Sequence, residues 1–143
     1  MNVGELRALY ESYLRKAEEV EQGRKPFDGV FGLGRKPGDD LCHDRFVEEI
    51  EEWIRAFRDT MPDSVAAREV LEMMFHAPRD LPAPQSAYWI LMAVQGYGQM
   101  LIPQLSPQDA AELAADYEKT FPRRERMPVQ KQLLAALKQA GKA

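Results

Sequence analysis

Apolar residues recur at intervals of three and four along almost the whole chain, which is the spacing of one face of an α-helix. Helices are expected at about 3–22, 41–60, 64–75, 85–102 and 128–140, with a further one that starts at Pro107. The third is expected to end before Pro78, because proline has no backbone N–H to donate inside a helix. No segment alternates clearly with a period of two, so no strand is predicted. The pattern predicts an all-α, single-domain bundle of about six helices.

Two helix starts carry capping signals. Ser106 and Pro107 precede Asp109 at the start of the fifth helix. Serine caps the free N–H groups, proline suits the first helical position, and the acid complements the positive end of the helix dipole. Asp39 or Asp40 is expected to cap the second helix in the same way.

A run of 28 residues, Leu81–Gln108, contains no charged side chain, in a chain where 29% of residues are charged. Prolines confine its uninterrupted part to about 85–102, and this part also contains three glutamines and two glycines. A membrane span needs about 20 predominantly apolar residues. We therefore expect no membrane association and place this uncharged helix at the centre of the bundle.

The uncharged helix carries one stripe of polar or polarisable side chains, spaced three, four, three and four residues apart. These are Gln85, Tyr88, Met92, Gln95 and Gln99. Buried amides must find hydrogen-bond partners or cost about 1–3 kcal/mol each. Three interpretations stay open: the stripe faces solvent, lines a groove for a ligand, or meets its own copy across a dimer interface, where tyrosine and methionine are favoured.

The longest predicted connection is a glycine-rich loop at about 23–40. Loops of this length are functional or disordered more often than inert. Phe27 and Phe31 lie within it and favour an ordered loop that packs on the bundle. The loop is assigned to one all-α domain that spans residues 1–143.

Charge is distributed unevenly along the chain. The segment from Lys119 onward has a net charge of +6, which leaves −10 for the rest of a chain whose total is −4. Arg123, Arg124 and Arg126 cluster in the turn before the last helix and are candidates for binding an anion or nucleic acid. The acidic total argues against nucleic acid, and pairing with acidic residues of the same or another copy is the alternative.

Four glutamates raise the hypothesis of a metal-dependent hydrolase, since Mg²⁺ needs several oxygen ligands that converge. They are Glu48, Glu52, Glu69 and Glu72. Helical phase places them opposite the apolar faces of their helices, so they are expected to face solvent. No metal or other cofactor is predicted.

Cys42, His43 and Asp44 resemble a catalytic set, but consecutive residues on a helix do not face one another. Cys42 and His43 fall at the two edges of the apolar face, and Asp44 points away from it. Cys42 is the only cysteine, which fits a reducing cytoplasm, and the N-terminus lacks the pattern of a signal peptide.

These observations favour a helical module that acts through protein contacts, as a homodimer formed across the stripe, over an enzyme. Anion or nucleic-acid binding at the basic turn is the second hypothesis, and a carboxylate-based hydrolase is the third. The expected location is the cytoplasm.

Overall fold

The structure, a computed structural model, describes residues 1–22 and 39–142, with side chains described from residue 42 onward in the second range. It contains six α-helices: α1 Val3–Gln22, α2 Asp39–Asp59, α3 Ser64–Asp80, α4 Gln85–Val94, α5 Pro107–Thr120 and α6 Pro128–Gly141. Two 3-10 segments, Gln95–Gln104 and Arg123–Glu125, follow α4 and α5. The described residues form no strand, which confirms the all-α prediction.

Local sequence signals account for the start of α5. Its N-cap is Ser106, whose side chain accepts a hydrogen bond from the Asp109 N–H at 3.1 Å, with Pro107 in the first helical position. The second helix begins at Asp39, two residues earlier than the periodicity indicates. The predicted caps, Asp39 and Asp40, have side chains outside the described residues, and so does the glycine-rich loop at about 23–40 up to residue 38.

The prediction that the third helix ends before Pro78 is wrong, because α3 continues to Asp80 with Pro78 buried in its last turn. Pro78 removes the one hydrogen bond that its missing N–H would donate, and the helical pattern continues past it, since the Leu81 N–H donates to the Ala77 carbonyl at 3.0 Å. The turn is held from outside: the Arg79 guanidinium donates to the Thr120 carbonyl at 3.2 Å and pairs with Glu125. Contacts that are distant in sequence therefore override the proline.

The helices enclose one continuous core. Every helix contributes fully buried apolar side chains, among them Leu6, Ile50, Val70, Leu91, Leu113 and Leu133. The segment from Gln85 to Gln104 packs against α1, α2, α3 and α6, which confirms its predicted central position. Within the described part of the chain, no helix is both long enough and apolar enough to cross a membrane.

The uncharged helix predicted at about 85–102 changes character at its midpoint. It is α-helical to Val94 and then continues as a 3-10 helix, in which ten residues rise about 20 Å rather than 15 Å. The 3-10 backbone lies close to its neighbours: a Cβ atom on Gly98 would come within 2.8 Å of Leu71, and one on Gly96 within 3.2 Å of Val129. The absence of side chains at these two positions permits this close approach.

Candidate functional site

The structure does not place the five residues of the predicted stripe on one surface. Gln85 is exposed, Tyr88 and Gln99 are half-buried, and Met92 and Gln95 lie in the core. Gln85, Tyr88 and Met92 lie within α4 at helical spacing, and burial increases along them toward the core. The stripe is therefore not one uniformly exposed strip, because Met92 and Gln95 lie in the core.

Gln95 is fully buried and hydrogen-bonded at both ends of its amide. Its Oε1 accepts from the Tyr117 hydroxyl at 2.7 Å and from Gln130 Nε2 at 3.3 Å, and its Nε2 donates to the Phe75 carbonyl at 3.4 Å. Gln130 Nε2 also donates to the Met92 carbonyl at 2.8 Å. We call Gln95, Tyr117 and Gln130 the glutamine network.

The glutamine network joins four parts of the bundle: α3, the central segment, α5 and α6. Each polar side-chain atom of the network has a hydrogen-bond partner inside the protein, which lowers the cost of burying it. Because Gln95 is fully buried, it does not present its amide at the surface. The homodimer across the stripe stays a prediction.

The four glutamates of the hydrolase hypothesis are not brought together. Glu48, Glu52 and Glu69 are exposed, and Glu72 accepts a hydrogen bond from Arg68 at 2.8 Å. In the described ranges no group of three or more His, Cys, Asp or Glu side chains is placed to hold a metal ion. The convergent oxygen ligands that this hypothesis requires are missing from that part of the chain.

The residues around Cys42 have structural partners. The Tyr13 hydroxyl lies 2.5 Å from His43 Nδ1, and the ring of Tyr13 stacks on Phe46 with centroids 4.1 Å apart. Asp44 is exposed, as predicted. Burial, together with the nearby Cys42, raises the pKa of Tyr13. This arrangement ties α1 to α2.

A depression of about 470 Å³ lies beside this pair, between α1 and α2. Its charged lining residues are Lys16, Arg45, Asp44, Glu48 and Glu49, so both signs are present. A second depression, of about 320 Å³ between α1 and α3, is lined by Arg7, Glu69, Glu72, His76 and Asp80 and is mixed in the same way. Neither surface selects a ligand by its charge.

A third depression differs in having a single sign of charge. It has a volume of about 370 Å³ and is lined by Arg123, Arg126, Lys131, Leu134, Ala135 and Lys138. We call it the basic depression. Four of its six lining residues are cations and none is acidic. It lies where the turn after α5 meets the face of α6 that runs from Lys131 to Lys138, which is in the last turn of that helix.

Arg126 is the most firmly held cation of the basic depression. Its Nε donates to the Phe121 carbonyl at 2.8 Å, and one Nη donates to the Glu118 carbonyl at 3.5 Å. These bonds close the C-terminal end of α5. Carbonyl oxygens carry no net charge, so the guanidinium stays positive and uncompensated while its position is fixed.

Two acidic side chains near the basic depression are already engaged. Glu125 pairs with Arg79, and Glu118 Oε1 lies 3.0 Å from Lys138 Nζ. Arg123 and Lys131 make no ion pair with the part of the chain that the structure describes. Three of the four lining cations therefore have no acidic partner among the described residues, and the fourth, Lys138, is paired with Glu118.

The structure divides the three predicted anion-binding arginines. Arg123 and Arg126 line the basic depression, whereas Arg124 is exposed and lies outside its lining. Sequence reasoning missed Lys131 and Lys138, which complete the site. Their spacing was a usable signal, because residues seven apart share one face of a helix and this face follows directly from the basic turn.

Comparisons with protein-family models, curated proteins and solved structures find no match to this chain. The functional argument consequently rests on the geometry and charge of the site.

Proposed function

We propose that this chain is a non-enzymatic helical module that binds a phosphate-bearing anion in the basic depression. The observation that carries the proposal is the set of four cations, Arg123, Arg126, Lys131 and Lys138, around one concavity without an acidic lining residue. Like charges gathered at one place repel each other, and an anionic ligand relieves that repulsion.

The protein's internal contacts also support this choice over the other hypotheses. The glutamine network is satisfied within the bundle, and the four glutamates of the hydrolase hypothesis are divided, with Glu48 at one depression and Glu69 and Glu72 at another. The basic depression combines concavity with unpaired charge. Charge-driven binding of this kind depends strongly on salt, because bound counterions are released when the ligand arrives.

Inorganic tripolyphosphate is a suitable probe, and calorimetry at low salt is the measurement. The wild-type chain is expected to bind it, and the double variant Arg123→Gln/Lys131→Gln is expected to bind at least about tenfold more weakly. Arg15→Gln/Lys16→Gln removes the same charge from exposed positions on α1 and serves as the matched control.

The control variant should retain the wild-type affinity, because neither Arg15 nor Lys16 lines the basic depression. Absence of binding by the wild-type chain at low salt contradicts the proposal. Equal weakening in both double variants also contradicts it, since the effect would then follow the total charge and not the site.

A further inference from the structure

The basic depression extends along α6 and does not surround a single point. Lys131 and Lys138 are seven residues apart, which corresponds to about 10 Å along the helix axis. Leu134 and Ala135 lie between them in the lining. The two ends are therefore suited to separate anionic groups on one ligand.

Two of the cations are held by the same residue, Glu118. Arg126 is anchored by the Phe121 and Glu118 carbonyls, and Lys138 is held 3.0 Å from the Glu118 carboxylate. A single phosphate bound by Arg123 and Lys131, which are unpaired among the described residues, therefore leaves Lys138 with Glu118. A ligand with a second phosphate further along the depression competes with Glu118 for this lysine.

The lining also indicates which part of the ligand is contacted. None of the six lining side chains is aromatic, so the depression offers no surface on which a nucleobase stacks. Its cations suit phosphate oxygens, which carry no sequence information. Lys131 and the two arginines recognise charge and spacing.

On the basis of the proposed anion binding, we infer that the ligand carries a run of neighbouring phosphates, as in a phosphoanhydride or phosphodiester chain, and takes Lys138 over from Glu118. Glu118 then acts as a built-in competitor that limits affinity. When the ligand replaces Glu118, the only change is that Lys138 pairs with a phosphate and no longer with the Glu118 carboxylate.

The decisive variant is Glu118→Gln, which frees Lys138 and keeps the backbone carbonyl that anchors Arg126. Glu19→Gln is the matched control, since it removes one exposed carboxylate from α1. We expect Glu118→Gln to bind tripolyphosphate about two- to fivefold more tightly than wild type, which is the range of a surface ion pair. Glu19→Gln should not change the affinity, and adding Lys138→Gln to Glu118→Gln should abolish the gain.

Salt dependence with a labelled mixed-sequence DNA duplex gives a second readout. If the ligand takes Lys138 over, four cations contact phosphates in the wild-type chain and in Glu118→Gln. The logarithm of the binding constant should then fall with that of the salt concentration with a slope of about −3.6 in both proteins. A slope of about −2.7 in the wild-type chain alone, which corresponds to three cations, would contradict the inference. If tripolyphosphate binds more tightly than the duplex, the ligand is identified as a phosphoanhydride chain. If the duplex binds more tightly, the ligand is a phosphodiester chain. Both outcomes support the inference.

Orthophosphate and poly-glutamate separate this inference from the proposed function. Orthophosphate should bind more weakly than tripolyphosphate by a factor on the order of 10², because it lacks linked groups. Equal affinity for orthophosphate, equal affinity for poly-glutamate, or an unchanged affinity in Glu118→Gln overturns the inference while anion binding stands. If no anion binds to the wild-type chain, the proposed function and this inference both fail.

Discussion

The glutamine network and the basic depression are both polar clusters at α6, and they differ in how far the protein satisfies them. Gln95 has a relative exposure of 0% and donates and accepts hydrogen bonds only within the bundle. The depression collects cations of one sign, and Arg123 and Lys131 have no acidic partner among the described residues. An unusual polar residue in a sequence therefore indicates function only when its own fold leaves it unsatisfied.

The two clusters also make opposite contributions to stability. Breaking the network leaves buried groups without partners, which is costly. Removing Arg123 or Lys131, which have no acidic partner among the described residues, reduces repulsion between like charges and should leave stability unchanged or slightly higher. We therefore expect mutations in the glutamine network to lower stability without changing affinity, and mutations of the unpaired cations to lower affinity without lowering stability.

The largest expected effect is that of Gln95→Ala, which should lower the free energy of unfolding by about 2–4 kcal/mol. The variant creates a cavity and removes the partner of the buried Tyr117 hydroxyl. Urea denaturation followed by circular dichroism measures the change. Gln99→Ala is the control on the same segment and should stay within about 0.5 kcal/mol of wild type, because Gln99 is only half-buried. Equal losses in the two variants would show that the network adds no stability.

Tyr117→Phe should have a smaller effect, a loss of about 1 kcal/mol, because the ring remains and only one hydrogen bond to Gln95 is removed. Its affinity for tripolyphosphate should equal that of the wild-type chain, since the hydroxyl does not line the depression. Calorimetry and urea denaturation on the same sample check both statements. A large loss of affinity with full stability would reverse the roles assigned to the two clusters.

The surface between α3 and α5 provides a further comparison. It is charged like the basic depression, but its cation, Arg68, is paired with acidic side chains. Arg68 donates to Glu72 and to Asp109, each at 2.8 Å, and pairs with Glu112. Hydrogen bonds from Ser64 and then Arg68 lower the pKa of Asp109, and Arg68 lowers that of Glu112.

Carboxylates with a lowered pKa in the folded state stabilise it above their unfolded pKa, which is about 4, and this contribution is lost as the pH falls through the folded values. Arg68→Met should therefore be less stable than wild type at neutral pH, and the difference should shrink toward pH 3. The effect is expected to be modest, because the groups are partly solvent-screened. Urea denaturation at several pH values tests this, and a difference independent of pH would contradict it.

Helical periodicity and capping residues predict most of this fold. The bounds of α1, the Ser106 cap of α5 and the central position of the uncharged segment follow from local pattern alone. The end of α3 and the 3-10 geometry do not, because both depend on contacts distant in sequence. Arg79 reaches across to Glu125, and Gly98 lets the backbone approach Leu71.

The candidate site was only partly predictable for a similar physical reason. A cluster of arginines in a turn is visible in a sequence, whereas the concavity that adds Lys131 and Lys138 depends on how α6 packs against α5. The stripe on the uncharged helix was visible in the sequence, but its role was not. Its spacing was visible, but its hydrogen-bond partners, Tyr117 and Gln130, come from helices that the stripe itself does not predict.

A titration of the ¹⁵N-labelled chain with tripolyphosphate, followed by backbone amide NMR, tests the central claim most directly. We expect the largest chemical-shift changes at residues 123–138, around the basic depression, and small changes on the central segment around Gln99. Changes concentrated at 85–99, or no changes at low salt, would contradict the assignment of binding to the depression and of the glutamine network to the fold.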